Sequence, residues 1–253
     1  MRSKMAESGV QAMLVSDIAS VRWLTGFTGS FGYVVVSADR ARFVTDSRYA
    51  IQAGEQVLEM PNVWFQSPVV LDEFLAQQVS DLGFSKLGFE ASSVTYATYE
   101  KWKSRFVGVE LYGAPDLISK LRMVKTKDEL DRIRQACGVA DACFQHVIRM
   151  IQPGVSEWDV SLDIEFFIRR SGFELAFEPI VVSGERSARP HGRASEKKLE
   201  LGDFVTMDFG AKVGGYCSDI TRTVVVGPVN DRHQEIYGQV LKAQLASIEA
   251  MKP

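Results

Sequence analysis

The chain has 253 residues, 46% of them hydrophobic and 24% charged, with a net charge of −3. That length suits two ordinary domains or one large one whose core needs no disulfide staples. The balance is that of a soluble globular protein; without a long basic run or an apolar run near ~20 residues, it argues against nucleic-acid and membrane partners.

The N-terminal stretch "MRSKMAESGVQAMLVSD" breaks its apolar residues with Glu7, Ser8 and Gln11, unlike a signal peptide, which places the chain in the cytoplasm. Up to about Gly113, short apolar runs ("AMLV", "YVVV", "RFVT", "VWF") alternate with helical stretches ("LDEFLAQQVSDLG", "TYATYEKWKSRF"). Such alternation predicts an α/β domain with a parallel or mixed sheet, over residues 1–120. The glycines of "TGFTGSFG" lack phosphate-loop spacing and read as turn glycines.

A second domain, residues 121–253, opens with a capping-box pair, Thr126 and Glu129. A long helix follows, with Leu130, Ile133, Cys137, Ala140, Phe144, Val147 and Ile151 at helical period. Pro153-Gly154 ends it. Ser156 and Asp159 then cap a second helix carrying Trp158, Val160, Ile164, Phe167 and Ile168, which Ser171-Gly172 stops. The period changes to strands in "EPIVVSG", "DFVTMDFGAK" and "YCSDITRTVVVG", separated by the charged loop "ERSARPHGRASEKKLELG" and by "KVGG". Asp231 and Gln234 begin a last helix with Ile236, Val240, Leu241, Leu245, Ile248 and Met251 on one face. Its ending "EAMKP" echoes the end of the first long helix, as if an internal duplication restarts there. The three cysteines, Cys137, Cys143 and Cys217, have no metal-finger spacing and read as reduced, small buried residues.

Two aspartates, Asp208 and Asp219, fall within the strand runs, equidistant from a turn midpoint between Val213 and Gly214. In a hairpin of that register they oppose each other on one face, Cβ atoms roughly 5 Å apart, where like charges repel. Apolar neighbours such as Val205, Phe209, Ile220 and Val224 predict deep burial. Buried carboxylates persist by sharing a proton or by binding cations, and two divalent ions ~3.5–4 Å apart would satisfy both. Alternatives are a turn cap with an Arg222 salt bridge, or an aspartyl-dyad hydrolase, although the latter normally places each aspartate in a glycine-flanked loop.

The run from "FEPIVVSGERSARPHGRAS" through "LELGDFVTMDFGAKVGGYCSDITRTVVVG" resembles the pita-bread metallopeptidases of the Xaa-Pro aminopeptidase and Xaa-Pro dipeptidase type. Upstream, "VRWLTGFTGSFGYVVV" and "FVTDSRY" resemble their creatinase-like N-terminal domain. The resemblance implies an α/β creatinase/RNase H-like N-terminal domain and an α+β pita-bread domain, of which about the first half is present. It makes Asp208 the terminal ligand of one metal, Asp219 a bridge between two, and His191 the histidine that steadies substrate and the developing tetrahedral centre. His146 and His233 match no family role and read as structural or exposed.

By the same resemblance, the cofactors are two divalent ions, Mn or Co, holding a hydroxide that attacks the bond before proline in a peptide or dipeptide substrate. The resemblance also implies a homodimer or larger assembly. The family's further ligands, a histidine in an "HGxG"-type segment and two glutamates, are absent, so the 253 residues are expected to be an inactive fragment of a peptidase. Competing readings are a creatinase-like amidinohydrolase, in which the carboxylates are replaced; a non-catalytic pita-bread binding protein; and a thiol hydrolase using Cys217 and His191, disfavoured because Cys217 shares a strand face with Asp219.

Overall fold

A computed structural model of the chain describes residues 1–114 and 116–252. Pro253, on which the reading of a restarting duplication rests, lies outside the described residues. Two units separate, Met1–Lys125 and Thr126–Pro253.

In the first unit the β-branched runs become strands, β1 (Ala12–Val15), β2 (Tyr33–Ser37), β3 (Ala41–Asp46), β4 (Asn62–Phe65), β5 (Lys86–Glu90) and β6 (Glu110–Ala114). They form one mixed sheet in the order β4-β3-β2-β1-β5-β6. The pairs β1–β2 and β2–β3 are antiparallel, and β3–β4, β1–β5 and β5–β6 are parallel. All four residues of β1 are buried because both faces of this inner strand are covered. Met13 and Val15 pack with residues of α1 (Arg2–Glu7), α2 (Ile18–Thr25), α3 (Ala50–Gln56) and α6 (Leu117–Met123). Ala12 and Leu14, on the opposite face, pack with Leu75 and Val79 of α4 (Leu71–Leu82) and Trp102 of α5 (Tyr96–Arg105). The two-residue period of a strand thus divides one apolar run between two cores.

In the second unit, α7 (Lys127–Val147) and α8 (Glu157–Arg170) both start from formed capping boxes. Glu129 Oε2 accepts the Thr126 amide at 2.6 Å, and Asp159 Oδ2 accepts the Ser156 amide at 3.1 Å. The buried stripe of α7 is Glu129, Ala136, Ala140, Cys143 and Val147, so the expected face is partly displaced: Leu130 and Cys137 are exposed. Small residues face inward here, and the Ala136 carbonyl accepts a hydrogen bond from the Ser218 hydroxyl at 3.0 Å. Among the cysteines only Cys143 is buried; Cys217, like Cys137, is exposed, which corrects the reading of all three as core residues.

Strands β8 (Ile180–Ser183), β9 (Phe204–Phe209) and β12 (Ile220–Val225) form one three-stranded sheet in the order β12-β9-β8. Strands β7 (Glu174–Leu175), β10 (Ala211–Val213) and β11 (Tyr216–Cys217) form another, ordered β11-β10-β7. One face of β9, Val205, Met207 and Phe209, is fully buried with Val160, Ile164 and Ile168 of α8, and each such side chain contributes about 1.5–3 kcal/mol. The other face, Phe204, Thr206 and Asp208, is only half-buried. The last helix, α9 (Asp231–Ala250), is capped by Asn230 with His233 completing the box, rather than by Asp231 with Gln234. It buries none of its residues.

Candidate metal centre

The hairpin that carries both aspartates turns at Gly214-Gly215, whose φ values of 56° and 90° are the left-handed pair of a two-residue type I′ turn. Val213 pairs with Tyr216, Lys212 with Cys217 and, beyond the turn segment, Asp208 with Thr221. The turn centre therefore lies one residue later than the sequence symmetry indicated. Asp208 and Asp219 are not directly opposed: Asp219 lies one residue before β12, two before Asp208's partner, so extending the ladder by one step puts it diagonally beside Asp208, where its charge acts. Diagonal neighbours lie about 7–8 Å apart at Cα, still within reach of convergent side chains.

Between the two carboxylates the strands change sheets. Gly210 connects β9 to β10, and the Ser218 amide donates to the Ala211 carbonyl at 2.8 Å while the Ser218 hydroxyl accepts from the Ala211 amide at 3.0 Å. An added Cβ on Gly210 would stand 1.9 Å from the Ser218 carbonyl oxygen. The close approach of two backbones keeps Asp208 and Asp219 on one surface across the break.

The deep burial expected of the pair is not observed, because the apolar neighbours point to the helical side of the sheet and the aspartates to the other. Asp208 is half-buried and Asp219 exposed. Arg222 turns to Asp141 at 3.9 Å, so the alternative of an Arg222 salt bridge to Asp208 or Asp219 does not form. Burial pushes the Asp208 carboxyl above its ordinary pKa and the Asp219 charge adds to the rise, whereas the Thr221 side chain and His191 act the other way. The three residues singled out in the sequence are thus in electrostatic reach at Asp208, with Thr221 a fourth.

Asp208 Oδ1 is buried and has no hydrogen-bond partner. A hard cation is the species that such an oxygen, beside a second carboxylate, accommodates. The donor set therefore fits divalent metal, although among the described residues no group of three or more His, Cys, Asp or Glu side chains is arranged to hold an ion.

His191 stands on the loop between β8 and β9. The loop's Gly192 rests on Val182, where a Cβ would come within 2.6 Å of Cγ1. Val182 shares its sheet face with Ile180, the direct partner of Asp208, so the loop crosses the aspartate side of the sheet. Both ends of the loop return to the fully buried Glu157 carboxylate, through Ser183 and Ser195. Sequence reasoning passed over Glu157, since a glutamate in a helix's first turn reads as a partner of the helix dipole. The other histidines are engaged elsewhere: His146 Nε2 meets Asp163 at 2.8 Å, and His233 caps α9 and lies 3.0 Å from the Gly202 carbonyl.

Residues 131–253 match the metallopeptidase family M24 and residues 1–124 the creatinase/prolidase N-terminal domain. An uncharacterized peptidase, YqhT, of Bacillus subtilis is 40% identical over 100% of this chain and 71% of its own length. Among solved structures, an Xaa-Pro dipeptidase from Bacillus anthracis superposes with a TM-score of 0.92 at 44% identity, covering 99% of this chain and 70% of that one. An X-Pro aminopeptidase from Thermotoga maritima does so at 0.88 and 32% identity, covering 100% and 72%.

Proposed function

The chain belongs to metallopeptidase family M24, behind a creatinase/prolidase N-terminal domain, and on that footing we propose that it hydrolyses the peptide bond preceding proline. The observation that carries this reading is the diagonal Asp208–Asp219 pair, with the unpartnered Asp208 Oδ1 beside it and His191 in electrostatic reach. Asp208 and Asp219 would be carboxylate ligands of two divalent ions, Mn or Co. Such ions, when bound, lower the pKa of water toward neutrality and polarise a carbonyl.

The chain's own residues perform the rest. Asp208, on β9 over the core, and Asp219, one residue before β12, would form one edge of the site. Thr221, across from Asp208, offers its side chain to that carboxyl and favours the ionised, ligating form. His191, on the loop above this face, steadies the negative charge that develops on the substrate carbonyl oxygen. Two carboxylates supply at most four oxygens, fewer than two ions require. The proposal therefore includes further histidine and glutamate ligands from outside these 253 residues, which alone would be catalytically silent. Retention of both aspartates favours this reading over a creatinase-like amidinohydrolase, whose site replaces them.

Asp219→Ala in the full-length gene product, assayed with Mn2+ or Co2+ on Ala-Pro and Ala-Pro-Ala, should lose both bound metal and hydrolysis. A variant that kept its metal and its turnover would sink the assignment.

A further inference from the structure

Glu157 is wholly buried, an expensive place for a carboxylate unless donors surround it. Here five donor groups do. Oε1 accepts from the Ser183 amide at 2.7 Å and the Ser183 hydroxyl at 2.9 Å; Oε2 accepts from the Ser195 amide at 3.1 Å and the Ser195 hydroxyl at 2.7 Å. The Arg186 Nε bridges both oxygens at 3.2 and 3.0 Å, and its Nη2 donates to the Arg193 carbonyl at 2.6 Å. Every one of these donors belongs to the segment 183–195. One carboxylate thus closes both ends of the loop, and the arginine it neutralises ties the middle to the far side.

A carboxylate used only to fill the core would be better replaced by an apolar side chain of similar volume. The hydrogen-bonding pattern instead fixes the path of a loop whose one titratable ring, His191, overlies the Asp208 face. We propose that Glu157 is a positioning residue: by binding Ser183, Arg186 and Ser195 together it sets the place of His191 over the aspartate pair. This rests on the peptidase reading for what His191 does, but not for the clamp itself.

The two are tested separately. In the 253-residue chain, Glu157→Gln places an amide N–H2 against one serine's donors and removes the charge that Arg186 requires. Hydrogen exchange of the 184–195 amides should then accelerate by about 10-fold or more, with trypsin cutting newly after Arg186 and Arg193, while β9 and β12 amides keep their protection. Unchanged loop exchange, or an equal loss across the whole sheet, overturns the clamp. Ser195→Ala retains the carboxylate and removes one donor; should Glu157→Gln not fold, faster exchange at 190–195 in this variant supports the clamp and unchanged exchange there overturns it.

In the full-length gene product, Glu157→Gln should lower kcat on Ala-Pro by about 10-fold or more, with KM and metal content unchanged. A freed loop with unaltered kcat overturns the positioning role. Absence of hydrolysis in the unaltered protein counts against the peptidase reading alone, and loop exchange then decides the clamp.

Discussion

Asp208 faces Thr221 directly across the β9–β12 pair, and this places Asp219 diagonally beside Asp208 on the same surface. A hydroxyl opposite one carboxylate and a second carboxylate one step away form a surface suited to cations and ill suited to their absence.

Removing the charge should therefore stabilise the metal-free protein. Asp208→Asn relieves the repulsion from Asp219 and the burial of a charged oxygen, and should raise the unfolding free energy by about 0.5–1 kcal/mol in urea melts with EDTA. The same variant should lose any Mn2+-induced rise in Tm. A melt showing the asparagine variant less stable by more than about 1 kcal/mol would mean the carboxylate is already satisfied within the chain.

Cys143 offers a pH test away from the site. Burial pushes its thiol up to about 12, with the Asp163 charge adding to the rise. Its folded pKa thus lies above that of an unfolded thiol, ~8.5. The protonated form is favoured by folding, so its contribution is fully present below about pH 8.5 and is lost as the pH climbs toward 12. Replacing it should flatten the alkaline limb: Cys143→Ala should lose less stability between pH 8.5 and 11 than the unaltered chain. At pH 8 a disulfide-exchange reagent should label Cys137 and Cys217 at once and Cys143 only on unfolding; three equally fast thiols would contradict the burial.

Much of the fold is legible where local chemistry decides it. The runs "AMLV" and "YVVV" become β1 and β2, and the boxes at Thr126 and Ser156 form because Ser or Thr with an acidic residue three positions on satisfies free amides without tertiary help. The hairpin register was not legible by symmetry, because the turn is placed by the two residues able to adopt left-handed φ, Gly214 and Gly215, and not by the spacing of the charges. The α7 stripe was misplaced for a related reason. Ala140 and Val147 lie on the expected face, but ranking by hydrophobicity also selects Leu130 and Ile133, whereas close approach to the strands selects Ala136 and Cys143. Of the site, the aspartates and His191 carry a recognisable local pattern, but Glu157 becomes meaningful only once Ser183 and Ser195 are brought to it.

The exposed apolar residues of α9 should tolerate polar replacement. Val240, Leu245 and Ile248 are exposed and the helix buries none of its residues, so Val240→Gln with Leu245→Gln should change stability by no more than about 0.5 kcal/mol each. The double variant should also lower aggregation, measured by light scattering, since contiguous apolar surface promotes association. A Tm falling by more than about 5 °C would show that α9 packs against the unit after all.

Gly210 should tolerate no side chain. It joins β9 to β10 where the Ser218 carbonyl crosses at a distance that leaves 1.9 Å for a Cβ, and the atom in the way is backbone, which cannot rotate aside. Gly210→Ala must therefore push apart the two strands that carry Asp208 and Asp219, breaking the Ser218–Ala211 hydrogen bonds of 2.8 and 3.0 Å. Overpacking of this kind costs about 1–3 kcal/mol, and the lost bonds add about 1 kcal/mol. The consequence for the site is geometric: with the strands separated, Asp219 leaves its diagonal position, so metal-dependent stabilisation should fall together with the Ser218 amide's hydrogen-exchange protection. A Gly210→Ala protein of unchanged stability that still gained Tm on adding Mn2+ would show that the close crossing is not what holds the two carboxylates on one face.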